Sequence, residues 1–179
     1  FSANRKNPNP YTMSHEEILS ILDDSVKNRG ITEVHIVSAH NPDTGLERYL
    51  EIFSKVKARF PSLHVKALTA AEINFLSEEY GLSVDAVIEK MLEYGVDSMP
   101  GGGAEIFDED VRAFVCKGKV TSQGWLGIHQ KWHEKGKQSN ATMLFGHVET
   151  REHRIDHMLR LRELQDKTGG FNAFIPLVY

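Results

Sequence analysis

Three consecutive glycines, Gly101, Gly102 and Gly103, stand between Pro100 and an acid in the stretch "MPGGGAEIF". Glycines pack nothing and cost conformational entropy, so a run of them is kept where backbone bends sharply or comes very close to another group. A bound ligand and a bare tight turn both meet that description. The run fits neither the Walker pattern nor the dinucleotide fingerprint, which need fixed glycine spacing and a helix opening on the loop. Polar residues also gather where apolar, strand-like runs end: Ser38 and His40, Thr69 with Glu72 just beyond, Glu105 after the glycines, then His147 and Glu149. Such a set offers donors and acceptors to a polar ligand, although strand ends are turns and turns are polar in any protein.

Other chemistry-bearing residues point less clearly to a site. His129 and His133 stand four apart, as do His153 and His157, a spacing that puts two imidazoles on one helix face as zinc sites do. Neither pair has the glutamate directly after its first histidine that the hydrolytic motif requires, so we read them as solvated histidines on outer helices and expect no metal ligand in this chain. Lys66, between Val65 and Ala67, is either an interior charge with a partner or a residue of an exposed edge. Trp125, Ile128 and Trp132 form a helical stripe best explained by core packing. Cys116, the single cysteine, follows an apolar run without an activating base nearby and reads as a buried, inert thiol.

Composition excludes several classes of function. Acids outnumber bases by 25 to 21, so no sustained basic stripe is available for nucleic acid. No segment approaches the roughly 18 uninterrupted apolar residues of a membrane span. One cysteine rules out an internal disulfide, and equally any cluster or structural zinc held by several thiolates of this chain; such usage suits a reducing cytosol.

The elements that must position these residues alternate. "SHEEILSILDDSVKNRG" begins with Ser14 and Glu17 at capping-box spacing, carries Ile18, Ile21, Leu22 and Val26 at helical spacing and closes on Gly30, which predicts a helix. A strand follows over 33–40, a helix over about 44–59 with Tyr49, Phe53 and Val56 on one face, and a strand over 64–70. Helices over about 71–79 and 83–94 lead to a short strand that runs into the glycines, then to helices over about 108–115 and 122–135. "NATMLFGH" (140–147) is the fourth strand, with Asn140 and Thr142 on one face and Ala141, Met143 and Phe145 on the other. The helix from Thr150 to about Lys167 is expected to turn Ile155, Met158, Leu159 and Leu164 inward before Gly169, Gly170 and the last strand, 171–179.

Strands separated by helices at this spacing are the mark of βα units around a parallel sheet. Doubly wound sheets read as nearly continuous Val, Ile and Leu because both strand faces are buried; these strands alternate, so a polar interior is expected. The fold class is therefore α/β, a partial (β/α) barrel of about five parallel strands with outer helices. A complete ring normally needs about 250 residues. The chain opens at Phe1, has its first methionine at Met13 and stops at Tyr179 on a strand-like run, so residues 1–179 are read as one domain, the central portion of a barrel cut at both ends. In such barrels active sites form at the C-terminal edge, where the polar residues above collect.

"VHIVSAHNPD", "MPGGGAEIF", "SNATMLFGHVET" and "RLRELQDKTGGFNAFIPLVY" together resemble the radical S-adenosylmethionine (SAM) enzymes of the futalosine route to menaquinone, and the related deazaflavin (FO) synthase subunit. The likeness covers almost the whole chain. Within that group "HIVSAHNP", "KALTAAE" and "ATMLFGH" are most similar to aminofutalosine synthase; the sister cyclase, acting on dehypoxanthine futalosine, more often has a histidine at the position of Lys66.

The resemblance implies a cytoplasmic radical SAM enzyme with a TIM-barrel-type fold, a [4Fe–4S] cluster held by a CxxxCxxC loop, SAM, a small-molecule substrate and a reductant such as flavodoxin or ferredoxin. It implies addition of a 5′-deoxyadenosyl radical to the enol ether of 3-[(1-carboxyvinyl)oxy]benzoate. By the same resemblance Ser38, His40, Glu72, Gly101, Gly102, Gly103, Glu105, Asn140, Thr142 and Leu144 bind cofactor, whereas Thr69, His147 and Glu149 contact substrate or shape the rim. "TMLFGHVE" is similar to the family's GxIxGxxE pattern with Thr142 in place of the first glycine, and Ser38-Ala39 replaces a common Gly-Gly pair. The cluster cysteines are absent, and "FSANRKNPNPY" resembles the sequence just after the third of them, so the activity is expected of a parent protein and not of this chain alone. The dehypoxanthine futalosine cyclase or an FO synthase-like subunit, a non-radical barrel enzyme using the same rim, and a non-catalytic module are the other readings.

Overall fold

The computed structural model describes residues 12–38 and 45–179; Phe1–Tyr11, and with them the expected match to the cluster loop, lie outside the described residues, as does His40. The elements run α1 (His15–Arg29), β1 (Glu33–Ile36), α2 (Leu46–Arg59), β2 (His64–Ala67), α3 (Ala70–Tyr80), α4 (Val84–Glu93), β3 (Ser98–Met99), α5 (Glu109–Val115), α6 (Ser122–Glu134), β4 (Gln138–Phe145), α7 (Arg151–Thr168) and β5 (Phe171–Val178). Local chemistry sets the boundaries. Ser14 and Glu17 form the expected reciprocal cap of α1, and Gly30 ends it in the left-handed conformation at φ 62°.

The five strands are all parallel and lie side by side in sequence order. Because parallel crossovers are right-handed, an order without reversal winds every connecting helix onto the same face. That is barrel winding, as the strand chemistry predicts, and it leaves the opposite face of this open (β/α) segment without helices. Val65, Ala67, Met99, Ala141 and Met143 point to the helices and are buried. Glu33, His35, His64, Lys66, Ser98, Asn140, Thr142 and Leu144 occupy the other face, by the pairing register and the alternation along β4.

Beneath the sheet, Phe53, Val56, Ile73, Met91, Trp125, Ile128 and Trp132 fill the core, so the tryptophan stripe packs as expected. Each indole also donates one hydrogen bond, from Trp125 Nε1 to the Gly102 carbonyl (3.1 Å) and from Trp132 Nε1 to the Gln138 carbonyl (2.9 Å). No helix among the described residues is long and apolar enough to cross a membrane.

Two expectations are overturned here. Ile155, Met158 and Leu159 of α7 lie at the surface; Leu164 faces inward as expected, but its companions there are His157 and Leu161. The phase of the helix is set by His157, whose ring stacks on Phe107 with centroids 3.9 Å apart while Nε2 pairs with the Thr142 carbonyl at 2.9 Å. The histidines are not solvated either: His129, His133 and His157 are buried, and only His153 remains near solvent, where its Nδ1 caps α7 by accepting from the Thr150 N–H. His129 Nδ1 and His133 Nε2 both pair with Ser139 Oγ at 2.8 Å, and His133 Nδ1 pairs with Thr168 Oγ1. A small hydroxyl on the helix-facing side of β4 thus makes room for two imidazoles that a periodicity argument places outside. Burial holds the His133 and His157 pKa down at about 4, and burial plus the neighbouring His133 holds that of His129 lower than its usual value.

Candidate functional site

The C-terminal ends of β1, β2, β3 and β4 are tied to one another by side chains and loop backbone. At the first junction Glu72 is the connector. Its Oε2 accepts from the Thr69 N–H and hydroxyl, both at 2.8 Å, completing the capping box of α3. Its Oε1 accepts from the Ser38 N–H at 2.7 Å, and Ser38 Oγ pairs with the Tyr49 hydroxyl. Burial raises the Glu72 pKa against the pull of these bonds. Ser38, Thr69 and Glu72 therefore come together as the sequence suggests, but the carboxylate is turned into the protein as a strut between two strand ends.

The glycine run forms the second junction, and its lack of side chains answers to neighbours within the chain. A Cβ on Gly101 would lie 2.7 Å from the Asn140 carbonyl oxygen and 2.9 Å from Thr142 Cγ2; one on Gly102 would lie 2.9 Å from Thr69 Cγ2. Gly103 has φ 85° and Ala71 Cβ beside it. Thr142, standing where the family pattern has glycine, donates its hydroxyl to the Gly101 carbonyl at 2.5 Å. The loop is thus pressed between the ends of β2 and β4.

What fixes its far side is Arg112, which the sequence reading did not single out. The buried guanidinium donates to the carbonyls of Gly103 (3.2 Å), Ala104 (2.5 Å), Ile106 (3.1 Å) and Val120. A fork of five N–H donors suits four converging carbonyls as no other side chain does. No sequence pattern marks it, because its partners lie on irregular backbone.

Glu105 then leaves the loop at φ 44°, a left-handed conformation that costs a non-glycine residue roughly 1–3 kcal/mol and persists where the surroundings impose it. Leu68, at the end of β2, has φ 54°, and these two are the positive-φ non-glycine residues of the described chain. Both stand at strand ends on this edge. The Glu105 carbonyl accepts from the Leu144 N–H at 2.9 Å, which continues the β3–β4 pairing into the loop. Its carboxylate, 19% exposed, meets Lys119 Nζ at 2.9 Å. Asn140, Thr142 and Leu144 line the open face beside it, half-buried.

Glu149 does not present itself to the rim. Its side chain is fully buried, accepting from the N–H groups of Gly146 (2.6 Å) and His147 (2.9 Å) and from Arg154 Nε (2.7 Å). Burial alone would raise its pKa, but these donors hold it at about 2. His147 is likewise tucked in, with Nε2 on the Leu144 carbonyl and Nδ1 accepting from the Val148 N–H. The two shape the loop after β4 from within.

The loop carbonyls are thus taken by Thr142, Trp125, Arg112 and Leu144, and the polar groups left to meet a ligand on this edge are the Glu105 carboxylate and the half-buried side chains of Asn140 and Thr142. A [4Fe–4S] cluster does not fit this chain: Cys116 is its one cysteine, it is buried, and burial raises its thiol pKa. Among the described residues no group of three or more His, Cys, Asp or Glu is placed to hold a metal ion.

Comparison with known proteins gives one family model, the Radical SAM superfamily, matching residues 1–161. Aminodeoxyfutalosine synthase of Thermus thermophilus is 50% identical over 150 residues, which are 84% of this chain and 40% of that protein. The enzyme of the same name from Streptomyces coelicolor is 41% identical over 169 residues, 94% of this chain and 43% of its own. A 5-amino-6-(D-ribitylamino)uracil–L-tyrosine 4-hydroxyphenyl transferase of Methanosarcina barkeri is 39% identical over 169 residues, 94% and 44% of the two chains. The chain thus spans less than half the length of these relatives. Streptococcus suis SuiB bound to S-adenosylmethionine overlays 98% of this chain and 47% of its own, at a TM-score of 0.46 and 10% identity.

Proposed function

The chain belongs to the radical SAM superfamily, and from that premise we propose that the protein of which it forms part is an aminodeoxyfutalosine synthase. The reaction breaks the C5′–S bond of SAM with release of methionine, joins the 5′ carbon to the terminal vinyl carbon of 3-[(1-carboxyvinyl)oxy]benzoate, and after a rearrangement releases a carboxyl group as bicarbonate or carbon dioxide, the electron that opened the C–S bond being returned at the end. SAM is in that sense a co-substrate. The cluster that its cleavage requires needs three thiolates, and we assign those to residues outside this chain.

What this chain supplies is position. Glu105 accepts hydrogen bonds from the ribose hydroxyls or the amino group of SAM, and Lys119 holds its carboxylate in place beforehand. Leu144 packs on the adenine, with Asn140 and Thr142 beside it on the open face. The Gly101–Gly103 loop lies under the ligand, fixed by Arg112 and Thr142. Ser38, Thr69 and Glu72 support the floor between β1 and β2. Holding the ligand in one orientation on this half-buried edge is the protein's share of such chemistry.

The observation that carries the reading is the 50% identity to the Thermus thermophilus enzyme over most of the chain. A second reading, hydroxyphenyl transfer from tyrosine to a ribitylaminouracil, is supported by the 39% identity to the Methanosarcina barkeri protein. Substrate choice separates them. Full-length protein with reconstituted cluster, reductant and SAM is given the enol ether in one vessel, and tyrosine with 5-amino-6-(D-ribitylamino)uracil in another. Consumption of the enol ether alone supports the synthase; consumption of tyrosine alone transfers the assignment.

A further inference from the structure

On the open face of the sheet, below the rim just described, five polar side chains from three adjacent strands meet: Glu33 and His35 of β1, His64 and Lys66 of β2, and Ser98 of β3. Glu33 Oε1 accepts from Lys66 Nζ at 3.0 Å and from His35 Nε2 at 2.6 Å. His64 Nε2 lies 2.7 Å from Ser98 Oγ and 3.6 Å from Glu33 Oε2. The doubt over Lys66 is thereby resolved in favour of an interior charge with a partner.

That partner does not satisfy it. The Lys66 side chain is 8% exposed, yet an ammonium carries three donors, and Glu33 Oε1 is its hydrogen-bond acceptor among the described residues. Donors left unfilled in a buried charge are costly, so a position of this kind invites an added acceptor. The flanking imidazoles are accessible, His35 being 53% exposed and His64 42%. One carboxylate faces one ammonium, and the two accessible imidazoles add ring nitrogens on either side, so an added acceptor finds hydrogen-bond partners here. Lysine suits the task as a compact point charge with rotatable donors.

We propose that Lys66, flanked by His35 and His64, is the subsite that receives a carboxylate of the small-molecule substrate, with Glu33 holding the ammonium in place. The proposal rests on the reading above that the substrate is a carboxylic acid entering from the open face. It gives that face a division of labour: SAM at the strand ends, the acid group deeper along β1 and β2. Hydrogen bonds from His35 and Lys66, with the ammonium's charge, outweigh burial and keep the Glu33 pKa below its usual value, so the anchor is ionised at neutral pH.

Equilibrium titration of the full-length, cluster-reconstituted protein tests this without turnover, using 3-[(1-carboxyvinyl)oxy]benzoate and its uncharged dimethyl ester as probes. Wild type should prefer the acid. Lys66→Met should weaken the acid by about tenfold or more and leave the ester and SAM unchanged, with Lys66→Arg falling between. Should Lys66→Met not fold, His64→Gln and His35→Gln carry the comparison, each with a loss of about threefold for the acid and none for the ester. A folded Lys66→Met protein that binds the acid as wild type does overturns the subsite and leaves the substrate reading standing. Failure of wild type to bind the acid overturns both.

Discussion

Arg112 Nη1 lies 2.5 Å from the carbonyl oxygen of Ala104 and thereby joins α5 to the loop that carries the three glycines. The same guanidinium reaches three further carbonyls of irregular backbone, on Gly103, Ile106 and Val120. Lysine keeps the charge but cannot span four acceptors, so Arg112→Lys should destabilise the fold by about 2–3 kcal/mol, the cost of leaving buried carbonyls without donors. Urea denaturation of the two proteins measures this. An unchanged midpoint would mean that the loop holds its shape without the fork.

Glu105 and Glu149 should separate in their effects. Glu105→Gln weakens SAM binding of the full-length protein by about 1–3 kcal/mol, the scale of a hydrogen bond to a charged group, with little change in stability. Glu149→Gln should do the reverse, lowering the melting temperature while SAM affinity stays within about twofold, because its carboxylate is spent on Gly146, His147 and Arg154. A calorimetric titration beside a thermal melt reads both. Equal losses of SAM affinity in the two variants would contradict the assignment.

Acid should loosen the fold well above the usual carboxylate range. His133 and His157 have native pKa values of about 4, and that of His129 is also lowered, against an ordinary 6.5. The unfolded chain thus binds more protons. Stability is full above pH 6.5 and falls as pH drops from 6.5 to about 4, by about 1.4 kcal/mol per pH unit for each histidine. Glu72, raised by burial, works in the opposite sense with a single proton, and Glu149 enters only below about pH 4.5. Urea midpoints at pH 7.5 and 5.0 should therefore differ, the lower at pH 5.0; identical midpoints would count against the buried-histidine cluster.

The 179-residue chain by itself should self-associate. β1 and β5 are the edges of the sheet, and Phe174, Ile175, Leu177 and Val178 of β5 are exposed. Long apolar edges offer unpaired backbone to other chains. Light scattering during purification is expected to show aggregates; a monomer with a reversible melt would argue otherwise.

Much of the framework was legible because it follows from local rules. The spacing of Ser14 and Glu17 and the position of Gly30 fix α1, and the alternation in "NATMLFGH" separates the two faces of β4. Strand ends collected Ser38, Thr69, Glu72 and Glu105 at one edge, as expected. What the residues do there was not legible. Glu72 and Glu149 look like free acids in the sequence, and only the fold shows their oxygens taken by Ser38, Thr69 and Arg154. The histidines failed for a related reason: Ser139, ten residues from His129 and six from His133, supplies the shared hydroxyl that makes their burial tolerable. Arg112 and the Glu33–Lys66 pair depend on contacts between separate elements, which periodicity does not encode.

The fate of the adenosyl carbon distinguishes a synthase from its sister cyclase. Full-length protein with reconstituted cluster is supplied with reductant, SAM labelled with ¹³C at the 5′ position, and 3-[(1-carboxyvinyl)oxy]benzoate, and the products are separated and weighed by mass spectrometry. The label is expected in one adduct that contains both the adenine and the benzoate ring. Label found only in free 5′-deoxyadenosine, with the enol ether untouched and dehypoxanthine futalosine cyclised when offered, would contradict it and assign the protein to the sister cyclase.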